Sequence, residues 1–224
     1  KLVGIHIDNP YSEAYQFVLA NIDKLQYRTK VNRHLLERQL NQGMKRAIED
    51  LTPKALRTKE TDSLEIAKKQ LEELQNVLKM NVLPGFSKWL CELEIIQASF
   101  DADLERMYEV LQFGSQISLF DGESDFVVEG YRYIIVEGKN KKMIRKILGI
   151  LIEIQTKMDK SDVKLLNLNY YDVIALAYEK LGQKQNAEEA KVKYEQLEQE
   201  RKAEVDAIFG KTKKKIFIYA IVSI

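Results

Sequence analysis

The sequence predicts an all-α protein, an antiparallel bundle of long helices followed by helical hairpins. Three observations predict it. Apolar residues recur at steps of three and four through most of the chain, the spacing that stacks side chains on one helix face. Only 3 prolines and 10 glycines occur in 224 residues, and they fall near the expected helix ends, which suits long helices with short connections. Hydrophobic residues make up 45% of the chain, enough for a packed core and too many for disorder.

Residues 1–120 read as the bundle. Leu2 to Ile7 alternates weakly, as a short strand or an arm. Asn9-Pro10 starts the first helix, with asparagine as cap and proline at the first helical position. Ala14, Phe17, Val18, Ile22 and Leu25 then form one stripe. The stripe thins over Gln26 to Arg33 and resumes with Leu36, Leu40, Met44, Ile48 and Leu51, so this helix is expected to bend or to outrun its partners. Thr52-Pro53 repeats the cap-and-proline device, Arg57 to Thr61 reads as a loop, and Asp62 with Glu65 forms a capping-box variant. Leu64, Ala67, Leu71, Leu74 and Leu78 hold a heptad-like spacing, which serves a coiled-coil homodimer as readily as an internal bundle. Asn81 to Gly85 breaks that helix. The next runs from Phe86 to between Gly114 and Gly122, with Trp89, Leu93, Ile96, Phe100, Leu104, Met107 and Leu111 on its buried side. Long helices joined by short breaks pack antiparallel.

Residues 121–209 read as helical hairpins. Phe126 to Val136 fits a helix by spacing and a pair of strands by its β-branched and aromatic content, and both readings stand. Gly130 sits badly in either. After the turn Gly138-Lys139-Asn140, the residues Met143, Ile144, Ile147, Leu148, Leu151, Ile154 and Met158 mark another helix. From Leu165 to Leu197, two helices are joined at Lys180-Leu181-Gly182-Gln183, with Gly182 in a left-handed cap and Asn186 capping a helix that begins at Ala187. Here Tyr171, Ile174, Ala175, Tyr178, Gly182 and Ala187 resemble a tetratricopeptide repeat, in which small residues let two helices approach closely. Lys191 and Tyr194 depart from that pattern, and no proline closes the unit. The resemblance implies a protein-binding surface on the first helix, at Asn169, Asp172, Val173, Leu176 and Glu179. These residues are unlike the basic clamp that some such repeats use for carboxylates, so an acidic peptide is not expected on that face. Tyr131, Tyr133, Tyr170, Tyr171 and Tyr178 are expected to pack between helices.

Beyond Leu197 the second helix is expected to continue, solvated, with Glu198 and Lys202 at salt-pair spacing. Residues 210–224 then change character: Lys211, Lys213, Lys214 and Lys215 precede Ile216, Phe217, Ile218, Tyr219 and an apolar remainder. Nine residues are too few to cross a bilayer, which needs about 20. They read as the first part of a membrane anchor, with lysines placed for anionic headgroups, or else as a terminal strand or buried turn.

Composition narrows the chemistry. Charged residues make up 31%, yet the net charge is +1, which argues against bulk nucleic-acid binding. The single cysteine, Cys91, leaves no intramolecular disulfide framework and suits a reducing aqueous compartment. Gly210-Lys211-Thr212 resembles the end of a phosphate loop, but Val205 stands where that loop needs glycine. His6 and His34 lack metal-pair spacing, and Glu92 with Glu94, and Asp101 with Asp103, point to different helix faces. No catalytic, cofactor or metal residues are therefore expected. The reading is a non-enzymatic scaffold, adaptor or accessory subunit of a membrane-associated complex, binding other proteins through helical surfaces. The alternative is a soluble peptide-binding regulatory or sensor module, with the long helices dimerising.

Overall fold

The computed structural model describes residues 7–29, 32–57, 60–80, 83, 86–116, 125–158 and 168–222. The described residues are all-helical: α1 (Glu13–Thr29), α2 (Arg33–Leu56), α3 (Thr61–Met80), α4 (Phe86–Phe100), α5 (Leu104–Gln116), α6 (Asp125–Glu137), α7 (Lys141–Met158), α8 (Leu168–Leu181) and α9 (Lys184–Val222). The strand reading of Phe126 to Val136 is thereby corrected to helix. The weak alternation from Leu2 to Ile7 lies, all but its last residue, outside the described residues. Contacts divide the chain into two compact units, Lys1–Ile134 and Ile135–Ile224, and the division falls within α6.

In the first unit, successive helices pack side by side. The α1–α2 register is antiparallel: Tyr15 donates its hydroxyl to the Leu40 carbonyl at 2.8 Å, Arg46 meets Asp8 at 3.5 Å, and Arg33 pairs with Asp23 at the other end. Close approach is possible because position 43 is glycine. A Cβ there would stand 2.9 Å from the Asp8 carbonyl oxygen and 3.1 Å from the Tyr15 ring. Along α2, Leu36, Leu40, Met44, Ile48 and Leu51 are buried as their spacing predicts. Along α3, Ala67, Leu71, Leu74 and Leu78 are buried within this unit, so the heptad-like stripe is used internally.

Helix ends are where the expectations needed correction. Asn9 caps a turn, accepting from the Tyr11 amide at 3.0 Å, and Ser12 opens α1 by accepting from the Tyr15 amide at 3.2 Å. Phe17, placed on the apolar stripe by spacing, is 59% exposed. Asn32 caps α2 through the His34 amide, so the polar interval after α1 is a break. Thr52-Pro53 does not start a helix; Pro53 lies inside the last turn of α2. There Thr52 donates back to the Ile48 carbonyl at 2.7 Å, and burial of Leu51, Ala55 and Leu56 holds a turn that proline alone would weaken. The α3 cap is Glu60, whose carbonyl accepts the Leu64 amide at 3.0 Å and whose carboxylate accepts the Ser63 hydroxyl at 3.2 Å. Asp62 and Glu65 have no part in it.

The helix expected from Phe86 to between Gly114 and Gly122 is two helices. Asp101-Ala102-Asp103 turns the chain, with Ala102 at a left-handed φ of 54° and the Asp103 amide donating to the Ala98 carbonyl at 2.9 Å. Asp103 then caps α5 through the Arg106 amide, and Arg106 Nε reaches back to Glu94 at 2.7 Å. The α6 residues to Ile134 complete this unit. Gly130 lets α6 approach α5, since a Cβ there would lie 3.0 Å from Leu111 Cδ1. Gln112 donates to the Tyr131 hydroxyl at 2.7 Å, Tyr133 donates to the Ser99 carbonyl at 3.0 Å, and Arg57 grips the buried Glu129 carboxylate at 2.9 and 2.7 Å.

In the second unit α8 lies between α7 and α9. Ile144, Ile147 and Leu151 of α7, Val173 and Ala177 of α8, and Ala187 and Ala190 of α9 are buried.

Candidate partner-binding surface

The hairpin α8–α9 closes as glycine at position 182 predicts. Gly182 has φ +80°, its amide donates to the Glu179 carbonyl, and the Gln183 amide donates to the Tyr178 carbonyl, both at 2.9 Å. These bonds satisfy carbonyls that the end of α8 would otherwise leave open. The second helix begins earlier than expected, at Lys184. The Ala187 amide donates to the Gln183 carbonyl at 3.1 Å, so Asn186 is a first-turn helical residue and not the cap. Small residues at Ala187 and Ala190, both buried, bring α9 close to α8.

The five residues expected to face a partner separate in the structure. Val173 is fully buried and offers a partner no surface. Asp172 and Leu176 are half-buried, and Glu179 is exposed. Glu179 pairs with Lys191 of α9 at 2.5 Å, which holds the lysine pKa above its ordinary value. Lys191, which stands where the repeat pattern carries an aromatic, thus neutralises this face. Asn169 lies in the first turn of α8, with its side chain outside the described residues. Tyr170 and Tyr171 are buried, and Tyr171 accepts from Gln155 of α7 at 2.6 Å.

Beyond Glu198, the described side chains of α9 are exposed. Gln199 to Ala203, Asp206 and Ala207 are all exposed, while the helix continues to Val222, 39 residues in all, or about 58 Å at 1.5 Å per residue. Lys211, Lys213, Lys214, Lys215, Ile216, Phe217, Ile218 and Tyr219 lie on this helix, with side chains outside the described residues. Among the described residues no helix is long and apolar enough to cross a membrane.

On α4, two titratable side chains are drawn into the packing. Glu92 is buried on α4, 3.8 Å from Lys88. Burial pushes its carboxyl up to about 7, with Lys88 and Lys45 opposing the rise and Glu49 adding to it. Half-buried Cys91 has its thiol pushed up by burial and then by Glu94 and Glu92, the opposite of what a nucleophilic thiolate needs. Among the described residues no three His, Cys, Asp or Glu side chains converge as a metal site. A depression of about 420 Å³ between α1 and α3 is lined by Tyr11, Gln16, Glu73, Asn76, Val77 and Met80. Compared with known protein families, curated proteins and solved structures, the chain matches none.

Proposed function

We propose that this chain is a non-enzymatic protein–protein interaction scaffold, or an accessory subunit, of a membrane-associated complex. Its α6–α9 region acts as a set of repeat-like helical hairpins, and residues 210–224 attach it to a membrane, with the bulk of the chain in a reducing aqueous compartment. The observation that carries the reading is α9. A helix that buries two alanines against α8 and then presents Gln199 to Ala203, Asp206 and Ala207 to solvent extends beyond what the α8 contact uses. It ends in four lysines followed by apolar residues, a sequence suited to anionic headgroups. The mechanism is surface complementarity, with α8 and α9 presenting side chains at fixed spacing.

Affinity purification of the full chain from its native source in mild detergent, with copurifying chains quantified by mass spectrometry, tests this. Stoichiometric membrane-protein partners are expected, and deletion after Gly210 should release the chain into the soluble fraction. Recovery without detergent as a partner-free oligomer would refute the proposal and favour the soluble peptide-binding sensor.

A further inference from the structure

We propose that the N-terminal half of α7 is a docking surface for an acidic, Asp/Glu-rich segment of a partner protein. This rests on the scaffold reading and names the chemistry of one partner. Five of the eight residues from Lys139 to Lys146 are cations, namely Lys139, Lys141, Lys142, Arg145 and Lys146, and none is acidic. All five are exposed. Lysines elsewhere in the unit have carboxylate partners, as in Glu153–Lys157, Glu179–Lys191 and Glu198–Lys202, whereas these five cations have none among the described residues.

The fold gains nothing from this arrangement. The start of a helix carries the positive end of its dipole, where cations are disfavoured, and the first turn of α7 holds no acidic residue. Lys141 with Arg145, and Lys142 with Lys146, are like charges at i, i+4, which also destabilise a helix. What forms α7 lies elsewhere. Asn140 caps it, accepting the Lys142 and Met143 amides at 3.0 and 3.2 Å, and Ile144, Ile147 and Leu148 are buried beneath it. Cations kept at a stability cost, on a helix that is built without them, point outward to an anion.

Two features select a protein anion. The cluster spans about 10 Å of helix axis, roughly two turns, which matches a short acidic segment and not an extended phosphate backbone. None of residues 139–149 is aromatic, so a stacking platform for bases is missing. A bilayer is disfavoured by position. Lys180 Nζ donates to the Val136 carbonyl at 2.7 Å, which brings the end of α8 beside the residues that lead into α7. From there α9 runs back along α8 and away, so Lys211 lies about 40 Å along the helix from its start. A membrane holding residues 210–224 thus leaves the basic end of α7 facing water and other proteins.

The test uses the full chain and a fluorescein-labelled ten-residue Asp/Glu peptide, followed by anisotropy. Competition by a single-stranded oligonucleotide and by anionic phosphatidylserine vesicles is measured alongside. Saturable binding that weakens with added salt is expected. It should fall about tenfold or more in Lys141→Gln/Lys142→Gln/Arg145→Gln/Lys146→Gln, and be unchanged in Lys24→Gln/Arg38→Gln/Lys69→Gln/Lys193→Gln. The α7 variant should melt no lower than the parent, because it relieves like-charge repulsion. Absence of peptide binding, equal loss in the control variant, stronger binding of oligonucleotide or vesicles, or a lower melting temperature would each overturn the proposal. Membrane partners that copurify while the peptide shows no response would overturn this surface alone. A freely soluble chain that still binds the peptide would overturn the anchor alone.

Discussion

Replacing Glu92 with glutamine should stabilise the first unit in alkaline buffer and leave it nearly unchanged in acid. Glu92 is 4% exposed, with its nearest cation, Lys88, at 3.8 Å, too long for a strong charge-assisted bond. Its carboxyl is pushed from 4.5 to about 7, burial being the largest cause. At about 1.4 kcal/mol per pH unit, the ionised form costs the folded state roughly 3 kcal/mol relative to the unfolded chain. The sign follows from linkage. A carboxyl whose folded pKa is raised binds its proton more tightly when folded, so stability is fullest below pH 4.5, falls between there and 7, and is lowest above. Glutamine keeps the shape and removes the charge. Urea unfolding, followed by the fluorescence of Trp89 on the same helix, should show the variant more stable by about 1 to 3 kcal/mol at pH 8.5. The gap should shrink as pH falls through 7 and close only below about pH 4. A gap that does not change with pH, or a variant less stable in alkaline buffer, would refute the reasoning and mean that the attraction to Lys88 and Lys45 outweighs desolvation.

Three glycines should respond to alanine with different signs. Gly43→Ala drives a Cβ to within 2.9 Å of the Asp8 carbonyl, where backbone must move, and should cost about 1 to 3 kcal/mol by chemical denaturation. Gly182→Ala meets no atom within 4 Å, but its φ of +80° should cost about 1 to 2 kcal/mol, read as a lower melting temperature. Gly149→Ala is exposed in mid-helix with nothing within 4 Å, and should stabilise α7 by about 0.5 to 1 kcal/mol. Arg57→Ala removes a two-point grip on Glu129, whose side chain is 8% exposed. Because Arg132 stays 3.5 Å away and Arg57 is itself largely exposed, a loss of about 1 to 3 kcal/mol is expected, and Glu129→Gln in the same background should recover part of it.

The helix faces were legible because burial follows spacing. Every apolar residue singled out along α2 is buried, and in α3 only Leu64 is less than fully so. Boundaries were less legible, since they depend on bonds that several residue types can make. Asp101-Ala102-Asp103 contains neither glycine nor proline, yet it reverses the chain, because Asp103 supplies a cap and Ala102 accepts a left-handed φ. Pro53 reads as a start because the first turn tolerates proline; the last turn of α2 tolerates it too when packing holds that turn. Phe126 to Val136 carries strand-forming residue types, and tertiary contacts to Leu111, Gln112 and Arg57 override that propensity. The repeat pattern points Val173 outward, whereas α8 is covered on two sides. The basic cluster on α7 is written in the sequence, and its helical spacing puts Lys141, Lys142, Arg145 and Lys146 on one face; the fold adds that this face is exposed while Ile144, Ile147 and Leu148 are buried.

The reliance of the first unit on α6 bears on how this protein is made. Helices form in order as the chain emerges, but Leu111, Gln112 and Arg57 have contacts in Gly130, Tyr131 and Glu129 that do not yet exist when α5 is complete. At synthesis rates of about 5 to 20 residues per second, the 18 residues from Gln116 to Ile134 take roughly 1 to 4 seconds. For that interval the nascent chain displays an unfinished core, including one face of α5. Codon choice in this short stretch, or a chaperone that recognises α5, would therefore set the yield of folded protein without altering a single contact in the finished structure.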